Sequence, residues 1–97
     1  MSAAHERAPR PELPERDRLI LDFERRSWRS AGAKEEAIRA EFGLSTARYY
    51  QLLNAVIDTP AAVIHDPMLV GRLQRMRAAR TAARASRSLR RPGRAEN

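Results

Sequence analysis

The sequence predicts an all-α protein, with a compact helix-turn-helix domain of three to four helices and a basic helical arm at the C-terminus. Two helical patterns within residues 33–57 are joined by a turn that contains Gly43. Apolar residues at three- and four-residue spacing mark further helices on either side. The whole formal net charge of +7 lies after residue 65, because ten basic residues balance ten acidic ones before that point.

Length and composition limit the organisation of the chain. Its 97 residues allow one small domain, which we expect at residues 13–76, between a disordered leader (1–12) and an arginine-rich arm (77–97). The chain has no cysteine, so disulfides and thiolate metal sites are excluded. It shows no signal-peptide pattern and no apolar run long enough to span a bilayer, so we expect a cytoplasmic protein without membrane association.

The first helix is expected to begin near Leu13–Pro14, since proline suits a first turn, and to run to about Ser30. Two apolar stripes mark it, one formed by Leu19, Ile20 and Phe23 and the other by Leu21 and Trp28. Gly32 is expected to end this helix and to start the next.

The second helix and the third form the central motif. Ile38 and Phe42 lie one turn apart, Gly43 suits the left-handed position after a helix, and Ser45 is a good N-cap for a helix from Thr46 to about Ile57. Arg39 stands four residues before the glycine, where this motif usually has alanine. Its side chain must therefore snorkel outward, or the two helices cross more widely than usual.

The third helix has two chemically different faces. Its apolar face is formed by Tyr49, Leu52, Leu53 and Val56. Its other face, with the N-cap, presents short, planar or hydrogen-bonding groups: Ser45, Thr46, Ala47, Arg48, Tyr50, Gln51 and Asn54. Gln and Asn can bond adenine edges, Arg can bond guanine, and Ala or Thr can contact a thymine methyl. The sequence therefore predicts a helix that reads bases in the major groove, although a plain helical bundle with a glycine turn fits the same spacing.

Two further helix starts follow, at Thr59-Pro60 and Asp66-Pro67. The first opens a single turn whose Val63 and Ile64 are expected to seal the core. The second opens a helix with an apolar stripe of Leu69, Leu73 and Met76. This helix is expected to continue into the arm and to end at Pro92-Gly93. The arm is expected to be frayed in the free protein and ordered on a polyanion. The arginines expected to bind phosphates are Arg72, Arg75, Arg77, Arg80, Arg84 and Arg87.

From Leu19 to about Leu89 the chain resembles a family of small actinobacterial proteins of unknown function. The matching stretches are ILDFERRSW, AGAKEEAI, FGLSTARYYQLLN and HDPMLVGRL. The helix-turn-helix portion is similar to those of transcriptional regulators and of the promoter-reading module of sigma factors. That similarity implies binding to duplex DNA.

Catalytic patterns are absent from the sequence, so we expect a non-enzyme without a cofactor or metal. The main hypothesis is a DNA-binding transcriptional regulator whose specificity requires a homodimer or a partner such as RNA polymerase. An alternative is an interaction module that docks on RNA polymerase or a ribosomal assembly while the arm binds RNA. An arm for anionic membranes is disfavoured, since its non-arginine face is mostly alanine.

Overall fold

The computed structural model describes residues 12–89, which form five α-helices. They are α1 (Glu15–Glu24), α2 (Ala31–Phe42), α3 (Thr46–Val56), α4 (Pro60–His65) and α5 (Pro67–Leu89). The all-α prediction is confirmed. The expected leader at 1–12, apart from its last residue, and the expected helix end at 92–93 lie outside the described residues. Over residues 12–89, no helix has the length and apolar character needed to cross a bilayer.

Helix α1 is shorter than expected, because it ends at Glu24 and not near Ser30. The chain leaves the helix after Glu24 and brings the Trp28 ring to 5.0 Å from the Phe23 ring, between ring centroids. Residues five apart on a helix point about 140° away from each other, so a continued helix would have separated these two rings. The aromatic contact therefore accompanies the early end of α1.

The predicted role of Gly32 was also wrong. Ser30 is the N-cap of α2, with its hydroxyl oxygen accepting a hydrogen bond from the Ala33 amide at 3.0 Å, and Gly32 lies inside the first turn of α2. The short connection at residues 25–30 therefore provides the N-cap of α2 through Ser30.

The α2–turn–α3 motif forms as the sequence predicts. Gly43 adopts the left-handed conformation at φ 66°, and its amide bonds the Arg39 carbonyl. Ser45 caps α3 by accepting a hydrogen bond from the Arg48 amide at 3.1 Å. Arg39 is exposed, so its side chain points outward, as the snorkelling alternative requires.

Both later helix starts are confirmed, since the side chains of Thr59 and Asp66 accept hydrogen bonds from the amides of Ala62 and Leu69. The expected role of Val63 and Ile64 was wrong, because they are 42% and 67% exposed. The small Ala61 and Ala62 are buried in their place. Helix α4 therefore contacts the core through its alanine face, and α1 and α5 can approach it closely.

The core lies where α1, α3, α4 and α5 meet, and Ile38 of α2 is fully buried against it. Helix α1 contributes Ile20, Leu21 and Phe23, whereas Leu19 is 44% exposed, in contrast to the expected stripe. Helix α5 contributes Leu69, Val70 and Leu73, whereas Met76 is 44% exposed and marks the end of its buried stretch. The predicted boundary between domain and arm at residue 76 thus falls inside one continuous helix.

Candidate nucleic-acid interface

The outer face of α3 is solvent-exposed at Ala47, Arg48 and Gln51. Arg48 Nη1 donates a hydrogen bond to Gln51 Oε1 at 3.1 Å. The Gln51 amide nitrogen remains available for a ligand, while its oxygen has a partner. Ser45 is exposed, although its hydroxyl oxygen serves as the N-cap, and Thr46 is half-buried.

Tyr50 and Asn54 are half-buried and lie at the edge of this face, beside α5. Together with Arg77, Arg80 and Arg84 they line a cleft of about 420 Å³ between α3 and α5. Five of the side chains that the sequence assigned to nucleic-acid contact therefore share one surface. Arg72 and Arg75 are exposed on α5 but do not line this cleft.

Arg77, Arg80, Arg84 and Arg87 follow one another on α5 at spacings of three, four and three residues. This spacing places them along one side of the helix, and we call them the arginine stripe. The stripe continues the side on which Val70 and Leu73 are buried, so the face that packs on the core becomes basic where the helix passes beyond it. The described part of α5 has no acidic residue, so nothing on this helix neutralises the stripe.

A polar network of side chains from α1 and α2 contacts the tyrosines of α3. The Tyr49 hydroxyl donates a hydrogen bond to the Glu24 carboxylate, and Lys34 Nζ of α2 lies 3.1 Å from that carboxylate. Lys34 also lies 5.2 Å from the centre of the Tyr50 ring, a cation–π distance. These contacts join α1, α2 and α3, so they fix the orientation of α3 about its axis.

The network also shifts the pKa values of Tyr49 and Lys34. Burial raises the pKa of the Tyr49 hydroxyl far above its usual value, and the nearby Glu24 carboxylate raises it further. Burial alone would lower the pKa of Lys34, but Tyr50 and Glu24 outweigh it and raise that pKa. Tyr49 therefore remains a neutral hydrogen-bond donor, and Lys34 remains charged.

The C-terminal end of α3 is held by side chains from α5. Gln74 Nε2 donates to the Ile57 carbonyl at 2.8 Å. Arg77 binds both carboxylate oxygens of Asp58, at 2.8 and 3.1 Å, and donates to the Asn54 carbonyl at 3.3 Å. Helix C-termini have carbonyls without intrahelical partners, so these contacts satisfy groups that would otherwise need water.

Four residues of this surface were not predicted from the sequence: Glu24, Lys34, Asp58 and Gln74. Each is distant in sequence from its partner, the separations ranging from 10 to 25 residues. Asp58 alone carried a local signal, since it directly follows the end of α3 and charged side chains at helix ends often find partners.

The described residues form an all-α domain whose α2–turn–α3 unit stands beside a basic helix. Among them, no group of three His, Cys, Asp or Glu residues could hold a metal ion. Residues 12–85 match the family described as "Protein of unknown function (DUF3263)", and the chain belongs to this family. No curated protein and no solved structure matches the chain.

Proposed function

We propose that the protein binds duplex DNA and acts in transcription, with α3 reading bases in the major groove and the arginine stripe of α5 contacting the adjacent phosphates. The observation that carries this proposal is the cleft where Tyr50 and Asn54 of α3 meet Arg80 and Arg84 of α5. Groups suited to base edges and groups suited to phosphates are thereby placed side by side on one surface.

Charge and exposure support the same assignment. Arg80, Arg84 and Arg87 are exposed and project from a helix with no acidic neighbour, so a polyanion meets no competing carboxylate along it. Arg77 is paired with Asp58, so we assign it a positioning role more than a phosphate contact. Ala47, Arg48 and Gln51 then form the part of α3 that enters the groove.

One observation favours the alternative, an interaction module that docks on RNA polymerase or a ribosomal assembly while its arm binds RNA. Ile64 and Met68 are 67% and 83% exposed at the corner between α4 and α5, and Val63 beside them is 42% exposed. Exposed apolar side chains close together often mark protein-binding surfaces. RNA binding is therefore tested beside DNA binding.

The test is selection of bound sequences from a random duplex DNA pool, with a random RNA pool in parallel and the full chain in both. Enrichment of a duplex motif is the expected result. Enrichment confined to RNA supports the alternative, and enrichment in neither pool contradicts both proposals.

Two substitutions connect the selected motif to α3. Gln51→Ala is expected to weaken binding to the best site by about 1–3 kcal/mol and to relax preference at one base position, since Gln51 can bond a base edge. Arg48→Ala is expected to weaken binding more evenly across sequences, because Arg48 lies in the first turn of α3, nearer the flanking phosphates. Repeating the selection with each variant measures both effects, and an unchanged motif with Gln51→Ala contradicts the assignment of Gln51.

A further inference from the structure

We infer that Asp58, an acidic residue at the edge of a proposed DNA-binding surface, strengthens DNA binding by clamping Arg77 and thereby holding the arginine stripe beside α3. The inference rests on the proposed function. It assigns Asp58 as a positioning residue that need not contact DNA itself.

The clamp consists of contacts that all join the end of α3 to one turn of α5. Arg77 binds Asp58 through two nitrogens, a bidentate geometry that fixes direction as well as distance. The same guanidinium reaches the Asn54 carbonyl, and Gln74 reaches the Ile57 carbonyl one turn earlier on α5. The Arg77 guanidinium also holds the pKa of Asp58 below its usual value, so the pair remains ionised at neutral pH.

The clamp lies where α5 leaves the core, so it determines the direction of the arginine stripe. Leu73 is the last buried apolar residue of α5, Met76 is 44% exposed, and every residue from 78 to 89 is exposed. Arg77 is thus the last side chain of α5 that pairs with an acidic residue of the domain within the described part of the chain. Beyond it lie the exposed arginines Arg80, Arg84 and Arg87, so a change in direction at Arg77 moves all three.

The inference predicts an effect of opposite sign from simple charge counting. Removing an acidic residue raises the net positive charge, which by itself favours polyanion binding. If Asp58 positions the stripe, Asp58→Ala instead weakens duplex binding by about 3- to 10-fold, the loss expected when one or two arginine side chains must be ordered during binding. Asp22→Ala is the control, because Asp22 is a half-buried aspartate of α1 that also pairs with an arginine, Arg18, and its side chain is 44% exposed against 56% for Asp58.

The first experiment measures duplex affinity for the full chain, Asp58→Ala, Asp22→Ala, Arg77→Gln and the double variant Asp58→Ala/Arg77→Gln, at one fixed salt concentration. We expect Asp22→Ala to bind as tightly as the full chain or more tightly, Asp58→Ala to bind more weakly, and the double variant to be no weaker than Arg77→Gln alone. Binding by Asp58→Ala that equals or exceeds that of Asp22→Ala overturns the inference.

A second measurement does not depend on DNA. The chain has no cysteine, so Ala55→Cys of α3 and Ser86→Cys of α5 allow two spin labels at exposed positions. Their distance distribution is expected to be narrow in the otherwise unsubstituted chain and broader with Asp58→Ala, and an unchanged distribution overturns the inference. If the unsubstituted chain binds no duplex, the proposed function fails, and the distance distribution alone decides whether Asp58 positions the stripe.

Discussion

Tyr49 and Tyr50 are adjacent in the sequence but differ in surroundings, because successive residues of a helix point about 100° apart. Tyr49 is fully buried and its hydroxyl binds Glu24, as the predicted helix register requires for its ring. Tyr50 is less exposed than the sequence suggested. Its ring packs edge-on against the Tyr49 ring, with centroids 5.1 Å apart, and Lys34 covers part of it. Tyr50 therefore supports the core and the cleft together.

We predict that Tyr49→Ala lowers the free energy of unfolding by about 3–5 kcal/mol, most of the stability of a small domain. Tyr50→Ala is expected to cost about 1 kcal/mol, since only part of its ring is buried, and to weaken duplex binding as well. Thermal melts of both variants and duplex binding by Tyr50→Ala measure these effects. A larger loss of stability for Tyr50→Ala than for Tyr49→Ala would mean that α3 is rotated from the described orientation.

Substitution of Gly43 tests whether its left-handed conformation stabilises the turn between α2 and α3. A Cβ placed at Gly43 meets no atom within 4 Å, so Gly43→Ala introduces backbone strain at φ 66° and no steric clash. The expected cost is about 1–2 kcal/mol, which lowers the melting temperature by at least about 4 °C.

Gly32→Ala is the matched control. Gly32 lies within α2 and has no positive φ, and the nearest atom to its Cβ position is Ser30 Oγ at 3.9 Å. Alanine is therefore expected to stabilise α2 by about 0.5–1 kcal/mol. Two glycine variants that move the melting temperature in the same direction would contradict this account of the turn.

The elements that the sequence predicted well are those whose signals are local. Ser45, Thr59 and Asp66 each cap a helix within three residues of themselves, and Gly43 ends one by its own backbone conformation. The end of α1 was not predicted, and it is accompanied by a contact between the Phe23 and Trp28 rings, which helix periodicity would have kept apart. A single sequence carries no signal for such tertiary contacts.

In the candidate interface, too, local signals could be predicted from the sequence and tertiary contacts could not. The composition of the outer face of α3 and the basic character of α5 were readable from periodicity and charge. The meeting of α3 and α5 in one cleft could not be predicted from the sequence. The direction of α5 depends on Gln74 and Arg77, which contact residues at least 17 positions earlier.

Within residues 12–89, three arginine–carboxylate pairs join separate parts of the fold, in addition to the Lys34–Glu24 pair: Arg25 with Asp66, Arg26 with Glu41, and Arg77 with Asp58. In each pair the hydrogen bond from arginine lowers the pKa of the carboxyl group below its ordinary value, 3.8 for the aspartates and 4.5 for Glu41. Groups whose pKa is lower in the folded state stabilise it above their unfolded pKa, and this stabilisation is lost as the pH falls through the folded pKa.

We therefore predict a melting temperature that is steady from pH 7 to about pH 5 and falls progressively below about pH 4.5. Thermal melts across this range measure it. Asp66→Asn is expected to lower the plateau and flatten the acid slope, because asparagine keeps the N-cap of α5 but loses the ion pair with Arg25. A melting temperature that rises on acidification would contradict the sign of the three pKa shifts.

The net positive charge of the chain is confined to its C-terminal part. All of the net charge lies after residue 65, so the arm should contribute affinity for any duplex more than preference for one sequence. Deleting Ala78–Asn97 is expected to remove roughly five phosphate contacts and to reduce the slope of log affinity against log salt by about four to five. The full-length variant with Arg80, Arg84 and Arg87 replaced by glutamine keeps the helix and is expected to reduce that slope by about three. A slope unchanged by both variants would remove the arm from the binding surface.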